Sequence, residues 1–168
     1  NTQSESAPFK CQSKFIRLNN SAATPLELIS LRRTFTTFTS AYTQLSGELI
    51  EPLNAIQNTY PLVVMVHGSE QDPAIGNSRA MLLAAMGIAV FTYDKRGTGQ
   101  SDGFYTQNFE LLAEDAAAAM NHARSIVTGN IKRAGFWGAS QGGWVAPLAA
   151  TLTPVDFVVV SYGLIASP

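Results

Sequence analysis

From Tyr60 onward the chain alternates short, continuously apolar runs with longer segments of helical character, and this alternation restricts it to very few architectures. Residues 62–67, 88–93, 132–137 and 157–161 are runs of the first kind, too short for helices and lacking the polar alternation of a half-exposed strand. They predict parallel strands covered on both faces. Between them, residues 77–86, 109–126 and 141–152 predict helices. Gly87 ends the first, and the alanines at 116–119 give the second a high intrinsic propensity. Strand, helix, strand, helix in this order predicts an open α/β sheet, mostly parallel, with helices on both faces.

Before Tyr60 the composition shifts to a polar, Ser- and Thr-rich stretch. Residues 30–40 and 42–50, rich in Thr, Phe, Leu and Tyr, predict antiparallel strands. A further strand is expected over residues 14–18, and the rest of residues 1–25 carries no readable pattern. The expected organisation is an N-terminal segment over 1–25 followed by a single α/β domain over 26–168.

Charge and length narrow the function classes. With 11 Lys and Arg against 12 Asp and Glu, no broad positive field exists to hold nucleic acid or anionic lipid, so a small, nearly neutral substrate is expected. The apolar runs fall far short of the roughly 20 residues that span a bilayer as a helix. The single cysteine, Cys11, offers no internal disulfide, and no His or Cys cluster supports a zinc site. The polar start over residues 1–6, without an initiating Met, fits either a processed N-terminus or an arbitrary boundary; the first is favoured, which implies an exported protein.

In open α/β sheets ligands gather beyond the carboxyl ends of the strands. Three blocks lie there. The first is Gly138-Ala139-Ser140-Gln141-Gly142, directly after the strand at 132–137 and directly before a helix. Gly138 and Gly142 permit a tight turn, the setting in which a serine oxygen is lifted clear of the sheet as a nucleophile. The amide of Gln141, at the helix start, then points to where negative charge develops on a substrate carbonyl. A Gly-x-Ser-x-Gly string also arises by chance, with glycines that serve only packing; its strand-turn-helix setting argues against that. The second block is His67-Gly68-Ser69, and the third is Asp94-Lys95-Arg96-Gly97-Thr98-Gly99-Gln100-Ser101. The spacing of its glycines fits neither a phosphate loop nor a dinucleotide fingerprint.

On these blocks the chain resembles the α/β-hydrolases over residues 45–163. The stretch GASQGGWVAPLA is especially similar to bacterial esterases related to dienelactone hydrolases and prolyl-oligopeptidase-type peptidases. The resemblance implies an α/β-hydrolase fold, with Ser140 as nucleophile and the backbone amides of Ser69 and Gln141 as oxyanion hole. It implies that His67 is structural, shaping its loop, rather than the base, since the family order runs Ser, then Asp or Glu, then His. Asp94 and Arg96 are expected to hold neighbouring loops by charge-assisted hydrogen bonds.

Other candidates read as structural. His122, inside a helix, is expected to pack or to face solvent. Trp144 and Tyr105 are expected either to line a pocket near the serine or to pack the core. Asp72 and Asp102 are expected to be solvated turn residues rather than metal ligands.

A serine hydroxyl needs a base and usually an acid group behind it. After Ser140 the sequence holds one carboxylate, Asp156, and no histidine, and Asp156 begins a strand, at the wrong end of the sheet. The acid and the base are therefore expected from a further C-terminal portion of the same protein, either continuous with it or as a separate chain. The expected activity is a serine hydrolase acting on a small-molecule ester or acyl substrate, with no metal or organic cofactor required. The alternatives are a serine peptidase of prolyl-oligopeptidase type and a non-catalytic α/β-hydrolase-like binding protein. A lyase or acyltransferase on the same scaffold is a further possibility, because fold does not fix reaction.

Overall fold

The computed structural model describes residues 12–17, 27–53 and 58–163. In chain order the elements are β1 (Gln12–Arg17), β2 (Glu27–Ser40), β3 (Thr43–Pro52), β4 (Thr59–Val66), α1 (Ser78–Ala85), β5 (Ala89–Tyr93), α2 (Phe109–Ile126), β6 (Asn130–Ala139), α3 (Gly142–Leu152) and β7 (Phe157–Ser161). The strands form one sheet in the order β1-β2-β3-β5-β4-β6-β7. The first three are joined antiparallel, β3 meets β5 antiparallel, and β5, β4, β6 and β7 run parallel. Every parallel strand therefore points its carboxyl end to the same edge.

The long β2–β3 hairpin turns on Ala41 and Tyr42, which have φ values of 44° and 65°. Both central residues are left-handed, as a two-residue turn matched to the strand twist requires. Tyr42, expected within a strand, is thus a turn residue with its ring in solvent; its aromatic character, not its place in the alternation, suggested a strand. Residues 132–137 prove to be the middle of a longer strand, β6. α1 and α2 start within one residue of where the sequence placed them, capped by side chains: Asn77 accepts from the Arg79 amide at 2.9 Å, and Asn108 from the Leu111 amide at 3.1 Å.

Helices cover both faces. Under α1, Ala80 and Ala84 meet Leu31, Ile50 and Val90. On the other face α2 and α3 lay Leu112, Ala116, Met120, Val145 and Ala149 on Leu62, Val64, Phe91 and Phe136. The alanines let the helices approach closely, and each large apolar side chain so buried contributes roughly 1.5–3 kcal/mol. In β7, which pairs only with β6 among the described residues, Val159 and Val160 are 47% and 45% exposed. An apolar run predicts burial only where neighbours cover both its faces.

β3 also buries two carboxylates that its sequence does not announce. Glu51 Oε1 accepts from the Tyr60 hydroxyl at 2.5 Å and from the Thr128 amide at 2.8 Å. Burial and the Glu51 charge push the Tyr60 hydroxyl up to about 12. Glu48 pairs with Arg33 and accepts from the Gly76 amide at 2.9 Å, tying the start of α1 to the sheet.

Candidate active site

The carboxyl ends of β5, β4 and β6 lie side by side, so the three blocks that follow them converge. Ser140 is exposed between β6 and α3, with φ at 52°. A non-glycine residue held in that left-handed region is strained. Its amide donates to the Ser161 carbonyl at 2.9 Å and its carbonyl accepts from the Gly143 amide at 2.7 Å, so the turn is pinned from β7 and from the first turn of α3. Trp137 adds a second tie, its indole nitrogen donating to Ser161 Oγ at 2.8 Å. Tight packing requires the flanking glycines: a Cβ on Gly142 would overlap the Val66 carbonyl oxygen, and one on Gly138 would overlap the Gly142 carbonyl.

The loop after β4 rests against this turn. A Cβ on Gly68 would sit 3.3 Å from Ser140 Cβ. The Gly68 amide donates to Glu70 Oε1 at 3.1 Å, and His67 Nδ1 lies 3.4 Å from the same oxygen. His67 Nε2 is buried with no hydrogen-bond partner among the described residues. Burial, and then the charge of Lys95, lower its pKa to about 4 against the pull of Glu70 and Asp94. The imidazole is therefore neutral near pH 7.

The block after β5 braces the other side. Asp94 accepts at Oδ1 from the amides of Ala74 at 2.7 Å and Ile75 at 3.1 Å, and at Oδ2 from Gln100 at 2.9 Å. Arg96 reaches Asp115 on α2 through Nε at 2.8 Å and Nη2 at 2.5 Å, a bidentate pair that raises the guanidinium pKa further. It also donates to Thr43 Oγ1 at 3.2 Å.

Two residues of this site went unnoticed in the sequence. Asp115 did leave a signal, a carboxylate on the apolar stripe of α2 beside Leu112, Ala116 and Ala119, all buried. Lys95 left none. It is nearly buried, and its ammonium donates to the Gly68 carbonyl and to Gln141 Oε1, the latter at 3.0 Å.

Trp144 stacks on Phe109 at 6.3 Å, which makes it a packing residue between α3 and the start of α2. Tyr105 instead reaches the site, its hydroxyl donating to the Ser69 carbonyl at 2.8 Å. His122 stacks on Phe38 at 5.5 Å and meets Thr36 Oγ1 at 2.9 Å, so it is a packing residue between α2 and β2. Asp156 clamps the start of β7 to β6, accepting from the Ala134 amide at 2.7 Å while its own amide donates to the Ala134 carbonyl. Asp72 and Asp102 are exposed. Among the described residues no three His, Cys, Asp or Glu side chains are grouped to hold a metal, and no helix is long and apolar enough to cross a membrane.

Residues 57–166 match the family described as serine aminopeptidase, S33. The chain belongs to this family of α/β-hydrolases. As an S33-family chain it is 30% identical, over 135 residues, to the quorum-quenching protein AidA of Acinetobacter baumannii (strain MDR-ZJ06), covering 75% of this chain and 39% of that protein. Its fold is similar to that of the α/β-hydrolase GrgF from Penicillium sp. sh18, with a TM-score of 0.64 and 27% identity over 76% of this chain and 45% of the other. It is also similar to dienelactone hydrolase from Anabaena variabilis, with a TM-score of 0.60 and 21% identity over 77% of this chain and 62% of the other. The α/β-hydrolase fold expected from the sequence is thus the fold observed, and the chain spans 39% to 62% of the length of these relatives.

Proposed function

We propose that the full-length protein is a serine hydrolase acting on small carboxylic esters through an acyl-enzyme on Ser140. The observation that carries this reading is the left-handed serine at the β6–α3 turn, with the Gly68 loop packed against it. Ser140 Oγ attacks the ester carbonyl as a general base takes its proton, giving a tetrahedral oxyanion between the amides of Ser69 and Gln141. Collapse expels the alcohol, which takes up the proton. Water then attacks the acyl-serine by the same route and releases the acid. Each amide donor aimed at the oxyanion is worth about 2.7–4 kcal/mol.

Within this sequence neither Asp156, committed to the Ala134 backbone, nor His67, neutral and bonded towards Glu70, is arranged as acid or base. Both groups are assigned to a C-terminal portion of the same protein, continuous or separate. No metal or organic cofactor enters this scheme.

A serine peptidase is the second reading, favoured by the family's own description and using the same Ser140 on an amide. A fluorophosphonate probe distinguishes both from a binding protein: it labels Ser140 in the folded full-length protein, and Ser140→Ala abolishes labelling. A folded wild type that stays unlabelled rejects the hydrolase reading. Turnover of a short p-nitrophenyl ester but not of an amino-acid anilide then selects esterase over peptidase.

A further inference from the structure

Lys95 is 2% exposed, yet no carboxylate among the described residues lies within ion-pair distance of its ammonium. Burying a cation costs several kcal/mol unless other groups replace its water. Its direct replacements here are dipoles, with the Glu70 carboxylate adding attraction from beyond ion-pair distance: the Gly68 carbonyl, Gln141 Oε1 at 3.0 Å and the face of the Tyr105 ring, whose centroid is 5.7 Å away. An apolar side chain in this place would avoid the cost of burying a charge, leaving only the two acceptors without this donor. The ammonium therefore calls for an account other than stability.

That account lies in which dipoles it touches. β4 runs between β5 and β6, so Lys95, just beyond β5, reaches across the loop that follows β4 to the turn that follows β6. We propose that Lys95 is a positioning residue that holds both backbone donors of the Ser140 site, through the Gly68 carbonyl on one side and the Gln141 side chain on the other. This inference rests on the serine-hydrolase reading above.

The Gly68 carbonyl and the Ser69 N–H belong to one planar trans peptide and point in opposite directions. A donor fixed on the oxygen therefore fixes the direction of the N–H. Because hydrogen bonds in a chain polarise one another, a cationic donor on the oxygen also makes that N–H a stronger donor. The next carbonyl, that of Ser69, is held by Tyr105, and the preceding amide, that of Gly68, by Glu70. The peptide is thus braced on both sides, with the ammonium on the group that matters. At the other end the same ammonium anchors Gln141, the residue that opens α3 and carries the second amide.

The test compares wild type, Lys95→Met, Lys95→Arg and Gln141→Met in the full-length protein, with a p-nitrophenyl ester and a fluorophosphonate. Lys95→Met, folded by circular dichroism, is expected to lower kcat about 10- to 100-fold, less than outright loss of an oxyanion donor, with KM little changed and Ser140 labelling slowed in proportion. Lys95→Arg, which keeps a cationic donor, recovers part of that loss. Gln141→Met, which keeps the backbone amide, lowers kcat by a smaller factor. Wild-type kcat in folded Lys95→Met, or a loss confined to KM, overturns the inference. Should Lys95→Met not fold, Gln141→Met decides, and wild-type kcat there overturns it. Failure of wild type to label or turn over removes the hydrolase reading and this inference together, whereas an active wild type with an unaffected Lys95→Met removes this inference alone.

Discussion

Gly68 and Ser140 stand so close that a Cβ on the glycine would lie 3.3 Å from that of the serine, and it would also displace the Glu70 carboxylate. Glu70 is half in solvent and can swing away, whereas Ser140 is pinned by Ser161 and Gly143. Gly68→Ala is therefore expected to change stability by less than about 1 kcal/mol, a magnitude ordinary for changes that flexible exposed groups absorb. Misplacing the two loops relative to each other is expected to slow labelling of Ser140 about 10- to 100-fold. Urea melts alongside labelling rates check this, and a wild-type labelling rate would show that the contact is not needed.

The left-handed conformation of Ser140 has a stability signature. Removing its Cβ relieves about 1–2 kcal/mol of strain, and the added freedom of glycine in the unfolded chain takes back about 0.5–1 kcal/mol. Ser140→Gly is expected to be more stable than Ser140→Ala by about 0.5–1 kcal/mol, both being unreactive to the probe. Thermal or urea midpoints measure the difference. A Ser140→Gly variant less stable than Ser140→Ala by about 0.5–1 kcal/mol would show that the turn is unstrained.

Arg96 and Asp115 form a buried bidentate pair. Asp115→Ala strands the guanidinium and is expected to cost about 3–5 kcal/mol, while Arg96→Met with Asp115→Leu costs clearly less than that single change. Urea midpoints of the two variants measure the difference. If the double variant is less stable than Asp115→Ala, the pair contributes more than the avoidance of a lone buried charge.

His67 gives a pH dependence whose sign is fixed. Its pKa is lowered from 6.5 to about 4 by burial and by Lys95, with Glu70 and Asp94 opposing. The unfolded state therefore binds the proton first as pH falls, so this residue withdraws stability between about pH 6.5 and 4 and has no such effect above that window. His67→Asn is expected to flatten that segment of the stability profile. The urea midpoint of both proteins across the window checks it, and parallel profiles would mean that the imidazole titrates normally.

The sheet could be read from the chain because its signals are local. Apolar runs such as 62–67 and 157–161 declare strands, and Gly87 marks a helix end by chemistry that acts within one turn. Tyr42 misled for the same reason, since aromatic content says nothing about whether a residue sits in a strand or at its turn.

By itself the sequence determined the parallel α/β architecture and the position of Ser140 between a strand and a helix, because periodicity and motif spacing are short-range properties. Only the tertiary structure decided which groups surround that serine. Lys95 meets partners 27 and 46 positions away, and the Ser140 amide meets Ser161 from the neighbouring strand. These meetings follow from the spatial order β5-β4-β6-β7, which reverses part of the chain order and brings separate strand ends to one edge. No local pattern encodes that order; it is set by which faces bury together, and with it the side chains that can reach Ser140.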